Sequence, residues 1–276
     1  MNSLTYVWHD CFIYSNGTIA IIFDFWKDPL LCGSGNRDHE NRERDDFSHL
    51  MQKIMAESKQ IYVVVSHHHK DHYTKKIFDW SRKFPGIKYI LSKDVAKYAR
   101  HILTKDSIYS GIKPDPENVF VVRPGEVFCD ESLKIEAFDS TDIGNSYAVT
   151  VNGIKIFHAG DLNAWIWKDE STESEISEAL KTYESILDKI VSKYPEFDMA
   201  MFPVDSRLGT DYFTGAKIFL EKICVRHFFP MHFGLGDTSD EQMKYQLDAA
   251  DVRNYANPSH GECICLQAPF SSFIMP

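Results

Sequence analysis

The run Ile61-Tyr62-Val63-Val64-Val65 passes without a break into Ser66-His67-His68-His69-Lys70-Asp71-His72, and no other stretch limits the fold of this chain so tightly. A short, mostly β-branched run reads as a buried strand, of the kind found inside a parallel sheet. Periodicity along the rest of the chain alternates strands with helices, which gives an α/β protein. Four histidines and an aspartate therefore hang in the loop at a strand's carboxyl end, where such proteins place their sites. Alternate side chains of an extended loop share a face, so His67 and His69 can grip one cation. Asp71 and His72 follow a step later and can turn toward a second. Imidazole mixed with carboxylate suits zinc, or iron or manganese. A solvated polar loop that happens to be rich in histidine is the plainer reading, and the clustering behind a buried strand argues against it.

Elements elsewhere follow from local signals. Residues 4–25 read as a hairpin with Asn16-Gly17 at its turn. Residues 26–47 are polar and charged, a loop whose run Arg42-Glu43-Arg44-Asp45-Asp46 is solvated surface. A helix is expected over residues 47–57. Tyr73, Ile77, Trp80 and Phe84 recur at helical spacing until Pro85-Gly86 stops them. A strand over residues 88–91, a helix from Asp94, and strands near residues 119–122 and 133–137 come next. Strands over residues 147–151 and 154–157 flank Asn152-Gly153 as a second hairpin. Ile176, Leu180, Tyr183, Leu187, Ile190 and Tyr194 keep one face of a helix over residues 174–194 apolar. A strand over residues 199–204, a helix near residues 214–223 and a strand ending at Pro230 continue the alternation. Ser239 and Gln242 form a capping box for a helix over residues 240–250.

The pattern His-x-His-x-Asp-His resembles the signature of the metallo-β-lactamase fold hydrolases. Two later segments resemble that superfamily's single-ligand elements. Ile154-Lys155-Ile156-Phe157-His158-Ala159-Gly160-Asp161 looks like its strand followed by Gly-Asp, whose aspartate bridges two metals. Phe228-Phe229-Pro230-Met231-His232-Phe233 looks like the element carrying the last histidine. Val7-Trp8-His9-Asp10-Cys11-Phe12 and the strand over residues 19–23 ending in Asp24 resemble its N-terminal hairpin. The likeness runs from about residue 6 to about residue 262 and is nearest the branch that includes the bacterial ascorbate-phosphate lactonases. It implies a four-layer αββα sandwich spanning residues 1–276 as a single domain, with two divalent metal ions, zinc first and manganese or iron as alternatives. It also implies hydrolysis of a small ester, lactone or phosphoester by a metal-bound hydroxide. The motif lacks the His-x-Glu-x-Asp pattern of the superfamily's oxygen-reducing di-iron members, which favours hydrolysis over redox chemistry. A non-catalytic metal-binding descendant and a nuclease of the same superfamily are the alternatives.

The resemblance carries over residue by residue. His67, His69, Asp71, His72, Asp161 and His232 match ligand positions, and Asp71 and His72 also stand in the catalytic role. The family's third histidine is missing, because the segment Phe138-Asp139-Ser140-Thr141-Asp142-Ile143-Gly144-Asn145 has none. Asp142 is the substitute, with Asp139, Ser140 and His158 as rivals, or else Asp142 merely bonds its own loop. Ligating histidines donate their second N–H to a carboxylate or carbonyl. Asp24 is the first candidate for that support, or else a surface residue at the hairpin's end, and His158, His9 and Asp205 are weaker ones. Trp165 and Trp167 follow a ligand and can wall a substrate pocket, or simply pack an apolar loop. Arg207 offers a fork for an anionic substrate group, or a surface ion pair.

Composition narrows the partners. The chain has 276 residues, 43% of them hydrophobic, and no Pro/Gly/Ser-rich linker divides it. A formal charge of −10 opposes binding to polyanions, so a small-molecule substrate is expected and nucleic acid is not. Neither a signal peptide nor a membrane-spanning run is legible. Six scattered cysteines lack the spacing of a secreted framework, which points to a reducing cytoplasm. Cys263 and Cys265 alternate on a strand and are expected to pack as small hydrophobes. Oligomeric state is left open by the sequence.

Overall fold

The computed structural model describes residues 1–27, 50–104, 112–167, 170–233, 252–254 and 256–276. Nearly all of the loop expected over residues 26–47, and the whole helix expected over residues 240–250 with its Ser239 and Gln242 cap, lie outside the described residues. Two compact units can be distinguished, one of residues 1–121 and 268–276, the other of residues 122–233 and 252–267.

In the first unit the apolar run becomes β4 (Gln60–Val65), preceded by β1 (Ser3–Trp8), β2 (Cys11–Ser15) and β3 (Ile19–Phe23). β5 (Lys88–Ser92) and β6 (Val119–Val122) follow. β4 pairs in parallel with β3 on one side and β5 on the other. Side chains of both its faces are buried, and Ile61, Val63 and Val65 join Ala20 and Ile22 of β3 in one apolar cluster. Each such aliphatic side chain contributes about 1.5–3 kcal/mol by leaving water, an upper estimate. That double-sided burial is why β4 reads as a continuous apolar run rather than an alternating one. Residues 4–25 hold three strands rather than the two of a single hairpin, since the chain reverses at His9-Asp10 as well as at Asn16-Gly17. His9 takes a left-handed φ of 57° to make that reversal. The helix expected from Tyr73 onward is a 3-10 helix over Lys75–Arg82, capped by Thr74. Helix α1 covers residues 50–57, and α2 (Lys93–Tyr98) and α3 (Arg100–Leu103) follow β5, with Ser92 capping α2.

The second unit contains β7 (Val127–Cys129), β8 (Leu133–Asp139), β9 (Asn145–Val151), β10 (Ile154–His158), β11 (Glu196–Pro203), β12 (Cys224–Met231) and β13 (Glu262–Cys263). β9 and β10 form the expected hairpin, with Asn152 and Gly153 both left-handed at φ 49° and 81°. β10, β11, β12 and β13 run parallel. Between them lie α4 (Glu173–Lys193) and α5 (Thr214–Lys222). α4 opens on a capping box between Thr172 and Glu175 and buries Tyr183, Ile186, Leu187 and Ile190 along one stripe. The last strand, β14 (Ser272–Ile274), pairs with β1. Among the described residues the sheets therefore have the orders β14-β1-β2-β3-β4-β5-β6 and β13-β12-β11-β10-β9-β8-β7. No described helix is long and apolar enough to cross a membrane.

Candidate functional site

Parallel strands send their carboxyl ends the same way, so residues far apart in sequence meet at one rim of a sheet. In the first unit β3 delivers Asp24 and β4 delivers the histidine loop. Asp24 is buried and accepts from the backbone N–H of Ser66 at 2.7 Å and from the Ser66 hydroxyl at 2.5 Å. Its second oxygen lies 2.8 Å from His72 Nδ1. The His67 and His72 rings are 3.9 Å apart between centroids, and the His67 and His69 rings 4.6 Å apart. Ligand atoms of His67 and His69 come within 4.8 Å of each other, close enough to share one ion. The β1–β2 reversal adds His9 and Asp10, with Asp10 3.1 Å from His72 Nε2 and His9 Nε2 3.6 Å from Asp71. His68 turns to α2, where Asp94 takes its backbone N–H at 2.9 Å and faces its Nδ1 at 3.0 Å.

The second unit repeats the plan. His158 ends β10 fully buried, and its Nδ1 accepts from the N–H of Gly160 at 3.2 Å, which shapes the turn into Asp161. Ligand atoms of Asp142 and Asp161 lie within 4.8 Å of each other. The neighbouring Thr141 hydroxyl braces the turn, donating to the carbonyl of Asn163 at 2.6 Å. His232 follows β12, with Nε2 3.3 Å from Asp161 and Nδ1 2.9 Å from Asp205, which follows β11. Arg207 bonds Asp205 through Nε, at 2.9 Å to each oxygen, and through Nη2, which also lies 3.2 Å from His232 Nδ1. Burial alone would raise the Asp205 carboxyl, but the hydrogen bonds and charges of His232 and Arg207 outweigh it and hold the group well below the usual carboxylate range. Trp165 donates its indole N–H to the carbonyl of Asp161 at 2.8 Å and sets its ring edge-on to His232. It lines a cavity of about 320 Å³ with Thr141, Ala164, Glu178 and Thr182.

This donor set fits divalent cations. His72 lies between two carboxylates, one at each ring nitrogen, and so does His232. Unless the ring carries a second proton, one nitrogen of each imidazole turns its lone pair toward an anion, and a cation shared there removes that repulsion. Two carboxylates as close as Asp142 and Asp161 likewise repel without a cation. Backbone strain collects at the same places. His9, Asp24, Trp165 and His232 have φ of 57°, 43°, 47° and 65°, a left-handed conformation that non-glycine residues seldom adopt.

The structure brings His67, His69 and His72 together in the first unit with Asp24 behind His72, sets Asp71 against His9, and brings Asp142, Asp161 and His232 together in the second. Asp10 was not singled out from the sequence. A His-Asp step directly after a strand, like Asp24 after β3, was the available signal. Asp205 ranked low in the sequence because its partner lies 27 residues away.

No family model and no curated protein matches the sequence. Solved structures match its fold. Igni18, a metallo hydrolase from the hyperthermophilic archaeon Ignicoccus hospitalis, is 15% identical with a TM-score of 0.62, over 100% of this chain and 99% of that one. CmlA, a diiron β-hydroxylase from Streptomyces venezuelae, is 12% identical with a TM-score of 0.58, over 99% of this chain and 54% of that one. The metallo-β-lactamase fold protein YhfI from Bacillus subtilis is 10% identical with a TM-score of 0.53, over 99% of this chain and all of that one. The chain thus has the mixed α/β metallo-β-lactamase fold, the class expected from its histidine motif.

Proposed function

We propose that this protein is a metal-dependent hydrolase of a small ester, lactone or phosphoester, with residues 1–276 working as one domain. The observation that carries the reading is the histidine supported by a buried carboxylate at a strand end, made once with His72 and Asp24 and again with His232 and Asp205. The residues that would hold divalent cations are His67, His69, Asp71 and His72 in the first unit and Asp142, Asp161 and His232 in the second. Zinc is the first choice for that mix, and manganese and iron are the alternatives. A divalent cation supplies an acidified water, with pKa near about 7, and polarises a substrate oxygen.

The chain's own residues do the rest. Asp71 orients the attacking water, and Asp24 fixes the tautomer in which His72 offers Nε2. Trp165 walls the substrate pocket. Arg207 is proposed to steady His232 through Asp205, and its outer edge, with a side chain 40% exposed, is the candidate contact for a substrate anion. The lactone option follows the resemblance to the ascorbate-phosphate lactonase branch. Hydrolysis is preferred to redox chemistry because His69 stands where the di-iron members carry glutamate. The cysteine spacing supports a cytoplasmic setting, and the acidic charge supports a small-molecule substrate over a nucleic acid.

The test is metal analysis of protein purified without added ions, followed by ester, lactone and phosphodiester panels. Bound zinc, manganese or iron and turnover of at least one class are expected, both lost on His67→Ala. Full metal occupancy with no hydrolysis of any class would overturn the enzymatic reading, and absence of metal would overturn the ligand assignment.

A further inference from the structure

Cys263 closes β13, and Cys265 lies two residues on, just past the strand's regular pairing. Their sulfurs are 3.9 Å apart. The intervening residue is fixed, since Ile264 donates its N–H to the carbonyl of Phe228 on β12 at 2.8 Å. Both side chains therefore point to one side of the chain, as alternate residues of an extended segment must. Cys263 is buried and Cys265 is half-buried. A disulfide needs its sulfurs about 2.05 Å apart and its Cα atoms within about 6.8 Å. An i, i+2 pair in a fully extended strand sits at the edge of that range, and Cys265 lies where β13 has ended and the backbone is free of the ladder.

We propose that Cys263 and Cys265 are a peroxide-reactive dithiol that closes to an intramolecular disulfide. The two sulfurs differ in the way such chemistry requires. The hydrogen bond from Cys263 lowers the Cys265 thiol, burial opposes it, and Arg253 adds to the lowering. Cys263 is pushed up, first by that same hydrogen bond and then by burial. Cys265 is also the more exposed of the two, so it is the sulfur that peroxide meets, and Cys263 is the resolving thiol. The Cys265 thiolate attacks one oxygen of hydrogen peroxide. An S–O bond forms, the O–O bond breaks, and the departing hydroxide takes a proton to leave as water. The Cys263 sulfur then attacks the sulfenic sulfur, forming S–S and breaking S–O, and its proton leaves with the second water. Two thiols lose two electrons in all, and the peroxide gains them.

The tryptic peptide beginning at Asn254 contains these two cysteines and no other, so one mass measurement reads the result. After brief peroxide treatment of the folded protein and alkylation, this peptide should have lost two hydrogens and resist alkylation until reduced. It should do so before the exposed single cysteines Cys129 and Cys224 oxidise. In Cys263→Ser, a dimedone adduct should accumulate on Cys265, whereas in Cys265→Ser the remaining Cys263 should stay unmodified. An unchanged peptide while Cys129 or Cys224 is already oxidised would overturn the proposal. So would a dimedone adduct on Cys263 forming as fast as the one on Cys265. Because the first readout uses unsubstituted protein, misfolding of either variant leaves it intact.

Discussion

Replacing Asp24 by asparagine changes one atom's chemistry and leaves the shape of the site alone, so it isolates what the carboxylate does for His72. The Asp24 carboxylate meets Ser66 N–H at 2.7 Å, Ser66 Oγ at 2.5 Å and His72 Nδ1 at 2.8 Å. A buried N–H left without an acceptor costs about 1–3 kcal/mol, so the asparagine oxygen must stay on Ser66 N–H. Its NH₂ then takes the place of the oxygen that faced Ser66 Oγ and His72. The hydroxyl can accept instead of donate, and the imidazole can accept only by moving its proton from Nδ1 to Nε2. Nε2 is the nitrogen proposed to bind metal, and a protonated nitrogen cannot. Loss of such a supporting carboxylate lowers metal affinity about 10–100-fold, or about 1.4–2.7 kcal/mol. Stability of the metal-free protein should change by less than about 1 kcal/mol, because all three contacts survive in altered polarity and asparagine tolerates the left-handed φ of 43°. Asp24→Ala, which strands the Ser66 N–H, should instead cost about 1–3 kcal/mol without metal. Zinc affinity from competition with a chromophoric chelator, beside thermal melts of the metal-free proteins, separates the two. Asp24→Asn protein that binds zinc within about twofold of the parent would refute the tautomer argument, given the expected loss.

Three further outcomes follow from other contacts. Asp142→Ala should lower metal stoichiometry and hydrolytic rate, and unchanged values of both by metal analysis and steady-state kinetics would remove Asp142 from the ligand set. A Cβ on Gly215 would come 1.7 Å from Asn163 Oδ1 and 3.0 Å from the backbone N of Ala164. Gly215→Ala should therefore destabilise by about 1–3 kcal/mol in urea melts and push the loop after Asp161, and a change below about 0.5 kcal/mol would mean that the loop yields freely. Burial would raise the Glu136 carboxyl, but bonds from Lys193, Lys134 and Tyr194 hold it below its ordinary 4.5. Its stabilisation is full above that ordinary value and drains as pH falls below it toward the depressed folded value. Glu136→Gln should lower Tm at neutral pH and flatten the acid side of the Tm–pH curve, and an unchanged acid slope would contradict this assignment.

Sequence legibility tracked the range of the interaction. β4, the Asn152-Gly153 hairpin and α4 are specified by residues within a few positions of one another, and all three were readable. The reversal at His9-Asp10 was not, because a histidine held at positive φ carries none of the glycine or asparagine signals of a turn. β7 escaped for a different reason: three residues, two of them exposed, give no period to read. The histidine loop and the residues after β10 and β12 were visible as ligand types at strand ends. Their supports were harder to see, since Asp24 meets His72 across 48 residues and Asp205 meets His232 across 27. Arg207 shows the limit most plainly. Its chemistry allowed a substrate anion or a neighbouring acid, and only the fold shows that Asp205 occupies most of its fork.

The left-handed backbone at His9, Asp24, Trp165 and His232 bears on how this protein can be engineered. Each position costs about 1–3 kcal/mol against a relaxed residue, so glycine would relieve the strain. A search that rewards only melting temperature or expression would drift toward those replacements and raise the yield of well-folded protein. Every such gain would delete a side chain from the candidate clusters. Stabilised variants of this chain should accordingly be ranked on retained metal first and thermal tolerance second.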